Sequence, residues 1–495
     1  MIKYVYLNLI RIRRIISMKV SVKTIGLILG PVLFILISRL DFLEGLSHDA
    51  WNVLGVAAWM VTWWVTEAAP LAIAALLPIV LFPALGVFNL EQATAPYANP
   101  VIFLFMGGFF IALGLEEHGL HRRLALNLVS LTGTSANGII FGFMLATGFL
   151  SMWISNTAAT IMMLPLAATV INLIDQTVEN KKGMALFSLA LMLGIAYSAN
   201  VGGISTVIGT PPNVVFVGYA KELLNLKIDF STWMVIGIPI SITLLLITFL
   251  LLTRVLYRNK LGRMADVSQS IRSELKSLGK MGLEEKLVAL IFVITAFMWI
   301  FKLPINKLLG KEILNDTATA MIGGILMFAM PVNLKKGISL VPWEATRRLP
   351  WGILLLFGGG LTLAKAMETT GLINVIADLV SNNRMNPVFI YLILIASMVF
   401  LTELMSNVAV TTMYLPVVIA IGQGLGMNPL LLSIPMAMAA SCAFMLPVST
   451  PPNAIVFSSG HVQIKNMVKT GFILNIISVI ILTVSAFTII KWVFG

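Results

Sequence analysis

Two sets of polar signatures recur along an otherwise apolar chain of 495 residues, and their register constrains the fold more than any other feature. Ser155-Asn156-Thr157 returns 251 residues later as Ser406-Asn407-Val408. Gly107 opens a glycine pair 48 residues before Ser155, and Gly358 opens another 48 residues before Ser406. A proline follows each serine by ten positions, at Pro165 and Pro416. Thr210-Pro211-Pro212-Asn213 then returns as Thr450-Pro451-Pro452-Asn453. Equivalent interruptions in the two halves of a long apolar chain imply a secondary transporter, with its binding site where the halves meet.

The composition fixes the compartment. Hydrophobic residues make up 58% of the chain and charged residues 11%, against about 25% charged in soluble domains. The apolar runs approach the roughly 20 residues that cross a bilayer. They are continuous rather than alternating, which favours helices over a barrel. The net charge of +12 does not point to nucleic acid, because the lysines and arginines sit in a few loops and no basic, aromatic-rich module carries them. The single cysteine, Cys442, excludes an intrachain disulfide and a cysteine metal cluster, and reads as a small buried hydrophobe. The apolar run after the basic start reads as a retained membrane segment rather than a cleaved signal, and Met18 is a second possible start.

The pattern predicts spans near 25–40, 51–66, 69–85, 100–115, 183–205, 232–256, 287–301, 316–331, 350–366, 428–448 and 467–493. Two further stretches, 137–173 and 387–424, have polar middles and arms too short to cross comfortably. Backbone broken at membrane depth is tolerated only inside protein or along a cavity, so both read as re-entrant hairpins. The expectation is an all-α polytopic membrane protein of about eleven transmembrane helices and two hairpins. With the N-terminus in the cytoplasm and the C-terminus outside, cytoplasmic segments hold 24 of the 33 lysines and arginines and outer segments eight; Lys365 lies within a span. That bias supports the orientation and makes the two halves inverted repeats. The charged, amphipathic stretch 258–286 reads as a linker helix on the cytoplasmic surface.

Each hairpin tip restarts a helix at Asn156 or Asn407, and the free N–H groups of such a start favour an anion. Two tips converging from opposite sides suit a small dianion. Ser151 and Ser155 lie one turn apart before the first tip, and Thr402 and Ser406 repeat that spacing before the second. Their hydroxyls, with amide oxygens and freed carbonyls, also suit Na⁺. Pro211-Pro212 and Pro451-Pro452 remove backbone donors and break their helices.

The chain resembles the divalent anion/sodium symporter family (the solute carrier 13, INDY-type proteins). The likeness runs from about residue 25 and is carried by WWVTEAAPLAIAALLPIVLFP at 63–83, SNTAATIMMLP at 155–165, GTPPN at 209–213, FGGGLTLAKA at 357–366 and SCAFMLPVSTPPNAIVF at 441–457. The resemblance implies a homodimer in a cell membrane, a bacterial inner membrane in the first instance. It implies protomers with scaffold helices at 25–115 and 287–366. Hairpins and transport helices follow at 116–257 and 367–495, after a cytoplasmic segment 1–24. It implies transport of succinate, malate, fumarate, 2-oxoglutarate or citrate, driven by Na⁺ or by dicarboxylate exchange, with no other cofactor. Carried over, one sodium site uses Ser151, Ser155, Asn156 and the carbonyl of Gly209; the other uses Thr402, Asn407 and the carbonyls of Met405 and Ser449. Substrate contacts fall on Ser155, Asn156, Thr157, Thr210, Pro211, Ser406, Asn407, Val408, Thr450 and Pro451. Val408 departs from the threonine usual in the family and removes one hydroxyl.

Lys365 has two readings, a charge for substrate or in place of Na⁺ and a side chain that snorkels to the outer surface. Glu67 marks a span end, and His118 and His121 read as surface residues of a short basic loop without the further ligands of a zinc site. Sulfate is the competing cargo. An anion channel needs a continuous pore that paired hairpins do not suggest, and no nucleophile–base pair or HExxH supports an intramembrane enzyme.

Overall fold

In the computed structural model, residues 21–39, 46–262, 264–333, 335, 337–381 and 385–495 are described. Arg11, Arg13, Arg14, Met18 and Arg384 lie outside them. The described chain is helical apart from one antiparallel pair of short strands, Pro331–Asn333 and Ile338–Ser339. Six helices are long and apolar enough to cross a bilayer, or seven if Leu283–Ile300 and Lys302–Leu309, bent by 70°, form one span. Other expected spans are shorter apolar helices, including Val22–Ser38, Asp316–Ala329 and Pro429–Ala439. The expected span 69–85 is broken into Leu71–Ala74 and Leu77–Ala84, where Pro70 and Pro78 interrupt the backbone ladder.

The four interruptions fall where the repeated motifs lie. Ala136–Ser151 turns into Asn156–Thr177, and Pro387–Leu401 turns into Asn407–Gly424. Ser155 starts the second arm of the first pair because its hydroxyl accepts from Ala158 N at 3.1 Å, a side-chain N-cap. Lys181–Gly203 ends in a broken stretch before Pro211–Leu224, and Pro429–Ala439 ends in another before Pro451–Ser458. In both, the paired prolines occupy the first two helical positions, where no N–H is needed and the fixed φ suits the helix. TPPN therefore starts a helix more than it kinks one.

Close backbone approach explains the glycine pairs. A side chain at Gly107 would run into the backbone of Ala320 on Asp316–Ala329, and one at Gly108 would meet Ile208. On Trp351–Thr369 three successive glycines face three neighbours: Gly358 the ring of Tyr97, Gly359 the backbone of Ala75, and Gly360 the Thr412 methyl and Tyr219 hydroxyl. Lys181–Gly203 is buried along almost its whole length, and Gly202 lies against the backbone of Gly148 on the first hairpin arm.

Three polar features differ from the sequence expectation. The basic loop after residue 116 is largely a helix, Leu120–Leu131, entered through Gly119 at φ +68°. The tight turn brings His118 Nε2 to Leu340 O at 2.6 Å and His121 Nδ1 to Leu115 O at 2.8 Å, so both rings are half-buried and bonded rather than free at the surface. The linker does contain a helix, Ala265–Ser277, and it docks on Leu120–Leu131: Arg122 pairs with Glu274 at 2.7 Å, and Arg123 pairs with Glu285 and donates to Gly279 O at 3.0 Å.

Lys302, expected among the outer charges, is instead 1% exposed. It pairs with Asp229 and, at 2.9 Å, with Asp316, whose other oxygen accepts from Phe230 N at 2.9 Å. The triad ties the start of Phe230–Leu250 to the starts of Lys302–Leu309 and Asp316–Ala329. Removing one member strands the other charges, a loss of about 3–5 kcal/mol. Lys302→Met is therefore expected to lower the thermal midpoint of the detergent-purified protein by several degrees. Replacing all three residues with apolar or amide side chains should restore most of it, and a melting curve of each variant checks this.

Candidate substrate and cation site

The first tip gathers oxygens. Ser151, fully buried on the last turn of its helix, has Oγ 2.6 Å from Asn156 Oδ1 and 2.7 Å from Ala199 O. One hydroxyl proton cannot serve both acceptors fully. The same end of the Asn156 amide lies 3.3 Å from Gly209 O and 3.3 Å from Ala199 O. With its oxygen inward, four oxygens share one proton; with its nitrogen inward, the amide brings two N–H donors within reach of all three neighbours. A surplus of acceptors is what a hard cation needs, and Ser151, Asn156 and the carbonyls of Ala199 and Gly209 fit one.

The second tip repeats this chemistry. Thr402, also fully buried, has Oγ1 2.7 Å from Asn407 Oδ1 and 2.8 Å from Ala440 O. Thr160 donates to Asn156 O at 2.8 Å, and Thr411 donates to Asn407 O at 2.6 Å, so each arm holds its first turn in the same way. Met405 lies in the turn between Thr402 and Asn407. Ser155 is exposed with its hydroxyl on the N-cap, Thr157 is half-buried, and Ser406 begins its helix without a side-chain cap. Val408 is 8% exposed and apolar where Thr157 carries a hydroxyl.

The broken stretches are held by the asparagines of TPPN. Asn213 Nδ2 donates to Gly203 O at 3.1 Å and Thr206 O at 2.8 Å. Asn453 Nδ2 donates to Ala443 O, Leu446 O and Ser449 Oγ, each at 3.1 Å. The two stretches also clasp each other. Asn200 Nδ2 reaches Thr450 Oγ1 at 3.2 Å, and Ser441 Oγ reaches Thr210 Oγ1 at 3.4 Å. Each half thus holds the threonine of the other half's motif. Pro211 and Pro451 follow these threonines on the first turn.

Sequence reasoning missed Ala199, Asn200, Ala440, Ser441 and Glu403. The first four stand nine to eleven residues ahead of the broken-helix motifs and 241 apart in pairs, so the repeat register extended upstream would have found them. Glu403 is the one charge between Pro387 and Gly424. Lys365 is half-buried four residues before the end of its helix, with Glu368 as its charged neighbour, and Glu67 ends His48–Thr66 and pairs with Lys23 at 3.1 Å.

The family described as the sodium:sulfate symporter transmembrane region matches residues 21–495. The chain belongs to the sodium:sulfate symporter family. Among curated members of similar sequence, the sodium-dependent dicarboxylate transporter SdcS of Staphylococcus saprophyticus is 39% identical over 478 residues, 95% of this chain and 92% of that one. SdcS of Staphylococcus aureus strain MRSA252 is 42% identical over 477 residues, with the same coverage. Solved membrane transporters share the fold at low identity. The YdaH transporter of Alcanivorax borkumensis has a TM-score of 0.56 at 16% identity over 88% of this chain and 98% of its own. Neisseria gonorrhoeae MtrF has 0.54 at 12% over 95% of each.

As a member of the sodium:sulfate symporter family, the chain presents two oxygen-rich tips, each with a buried hydroxyl beside an asparagine amide. Asn156→Ala and Asn407→Ala are each expected to yield folded protein that has lost most of its Na⁺-dependent thermal stabilisation. Melting in NaCl against choline chloride tests this, and a parental sodium response in either variant would remove that amide from the site.

Proposed function

We propose that the protein carries small dicarboxylates together with Na⁺ across a cell membrane by alternating access. The observation that carries this reading is the reciprocal clasp of Asn200 with Thr450 and Ser441 with Thr210, which joins the two interrupted halves beside both oxygen-rich tips. Of the four helix starts around that region, those at Asn156 and Asn407 offer N–H groups that favour carboxylates, and those at Pro211 and Pro451, which carry no N–H on their first two residues, add only the positive end of the helix dipole. The curated relatives, sodium-dependent dicarboxylate transporters matched over 95% of this chain, support the same cargo and ion.

The geometry suggests how ion and substrate are linked. A cation at the first tip needs Asn156 Oδ1 facing inward, which turns its NH₂ towards substrate as a donor. Without the cation, the amide satisfies both its N–H donors by turning its nitrogen inward, among Gly209 O, Ala199 O and Ser151 Oγ. Its oxygen then faces the incoming carboxylate and opposes it. Sodium therefore sets the polarity of the surface that the anion meets. Val408 offers no hydroxyl at the second tip, so that end makes fewer polar contacts with substrate.

In this reading the hairpins are re-entrant and about eleven spans cross the bilayer. The N-terminus is cytoplasmic, the C-terminus is outside, and two protomers form the working unit. Helices 25–115 and 287–366 are the scaffold against which 116–257 and 367–495 move. The 24-to-8 charge asymmetry supports the orientation. The packing supports a boundary along Trp351–Thr369, where Gly358 and Gly359 face one group of helices and Gly360 the other.

Uptake of labelled succinate into proteoliposomes tests the function. An inward Na⁺ gradient should raise initial uptake at least several-fold over choline. Sulfate in excess should compete weakly and unlabelled malate strongly. Uptake driven only by internal dicarboxylate would assign exchange instead, and transport of sulfate alone would replace the proposed cargo. The amide linkage has its own test. Asn156→Asp keeps an inward oxygen but loses the donor, so it should keep sodium-dependent thermal stabilisation and lose dicarboxylate binding by about tenfold or more, as expected for a bond to a charged group. Calorimetry showing undiminished succinate affinity in this variant would sink the linkage.

A further inference from the structure

Glu403 sits in the turn of the second hairpin, next to Thr402 and 2% exposed. Its Oε1 accepts from Phe444 N at 2.6 Å, Met445 N at 2.9 Å and Asn475 Nδ2 at 2.8 Å, and its Oε2 accepts from Leu446 N at 3.2 Å. Every partner is a donor, so the pocket is built for a carboxylate. Among the described residues, no lysine, arginine or histidine forms an ion pair with it. A buried anion with hydrogen bonds but no counter-charge is expensive to maintain.

The first half contains no equivalent charge. Met152 stands 251 residues before Glu403. There the hairpin turn is tied to its broken stretch by a neutral bond, Thr206 Oγ1 donating to Met152 O at 2.6 Å. The stretch that Glu403 grips ends at Leu446, whose carbonyl accepts from Asn453 and from Ser449 Oγ at 2.7 Å. The carboxylate therefore belongs to the residue after Thr402 and is bound to the backbone that leads to Ser449, and the two tips, alike in their neutral oxygens, differ by one acidic side chain.

We propose that Glu403 supplies the counter-charge for the cation at the Thr402–Asn407 tip and makes it the tighter of two unequal cation sites. This rests on the sodium reading above. Glu403 touches neither substrate nor, on this geometry, the ion; it acts as a positioning residue through its field and through the Phe444–Leu446 backbone. A cation and an acidic side chain on the same hairpin turn interact more strongly in a partly desolvated site than in water, so the sites should differ widely in sodium affinity while sharing their neutral ligands.

Purified full-length protein, free of carboxylate, is titrated with NaCl against choline chloride at constant ionic strength while its melting temperature is followed. Glu403→Gln should move the high-affinity part of the sodium response to concentrations about tenfold higher or more. Glu403→Asp, which keeps the charge, and Asn475→Leu, which removes a neutral partner, should stay within about threefold of the parent. A folded Glu403→Gln with the parental titration overturns the proposal. So does an Asn475→Leu or Glu403→Asp shift as large as that of Glu403→Gln, because bracing alone would then explain it. If Glu403→Gln does not accumulate, the other two decide: near-parental titrations in both support a charge requirement, and a tenfold shift in either overturns it. A parent whose melting does not respond to Na⁺ would instead overturn the sodium reading itself.

Discussion

Two helices are broken inside the protein, and the rest of the structure depends on satisfying the backbone they expose. An unpaired buried donor or acceptor costs about 1–3 kcal/mol. Asn213 takes up carbonyls around Gly203 and Thr206, and Asn453 takes up those of Ala443 and Leu446. Glu403 takes up the three N–H groups from Phe444 to Leu446. Only because these groups are held can the neighbouring carbonyls of Ala199, Gly209 and Ala440 be spent on something other than the fold.

That spare capacity is the chemistry of the site. At both tips one hydroxyl stands between an amide oxygen and a main-chain carbonyl, with fewer protons than acceptors. A cation resolves the shortage at either tip, and at the first so does a turned amide. In the proposed coupling, the two solutions at the first tip present opposite polarity to an approaching anion, which would join ion and substrate without any long-range movement of the chain.

Much of this was legible in the sequence because it is repeated. The Ser-Asn tips, the Thr-Pro-Pro-Asn starts and their common spacing located the interruptions, and the structure places helix starts at Asn156, Pro211, Asn407 and Pro451. What failed was whatever depends on a distant partner. Lys302 looked solvated because Asp229 lies 73 positions away along the chain. His118 looked exposed because Leu340 O, its partner, is 222 positions away. Leu120–Leu131 carries His121, Arg122 and Arg123 in its first turns, which masked its apolar face. Glu403 was overlooked because a lone acid in an apolar stretch has meaning only once the N–H groups of residues 444–446 are folded onto it.

The three glycines from Gly358 to Gly360 bring a different kind of constraint. Each faces another element: an aromatic ring, a main chain, and a threonine beside a tyrosine hydroxyl. Less than one turn of helix therefore sets three separations at once. A methyl group at any of the three displaces a different neighbour, so no single compensating change elsewhere repairs more than one of them. This short run should have almost no mutational slack, and drift there would have to proceed by coordinated replacement across three contacts.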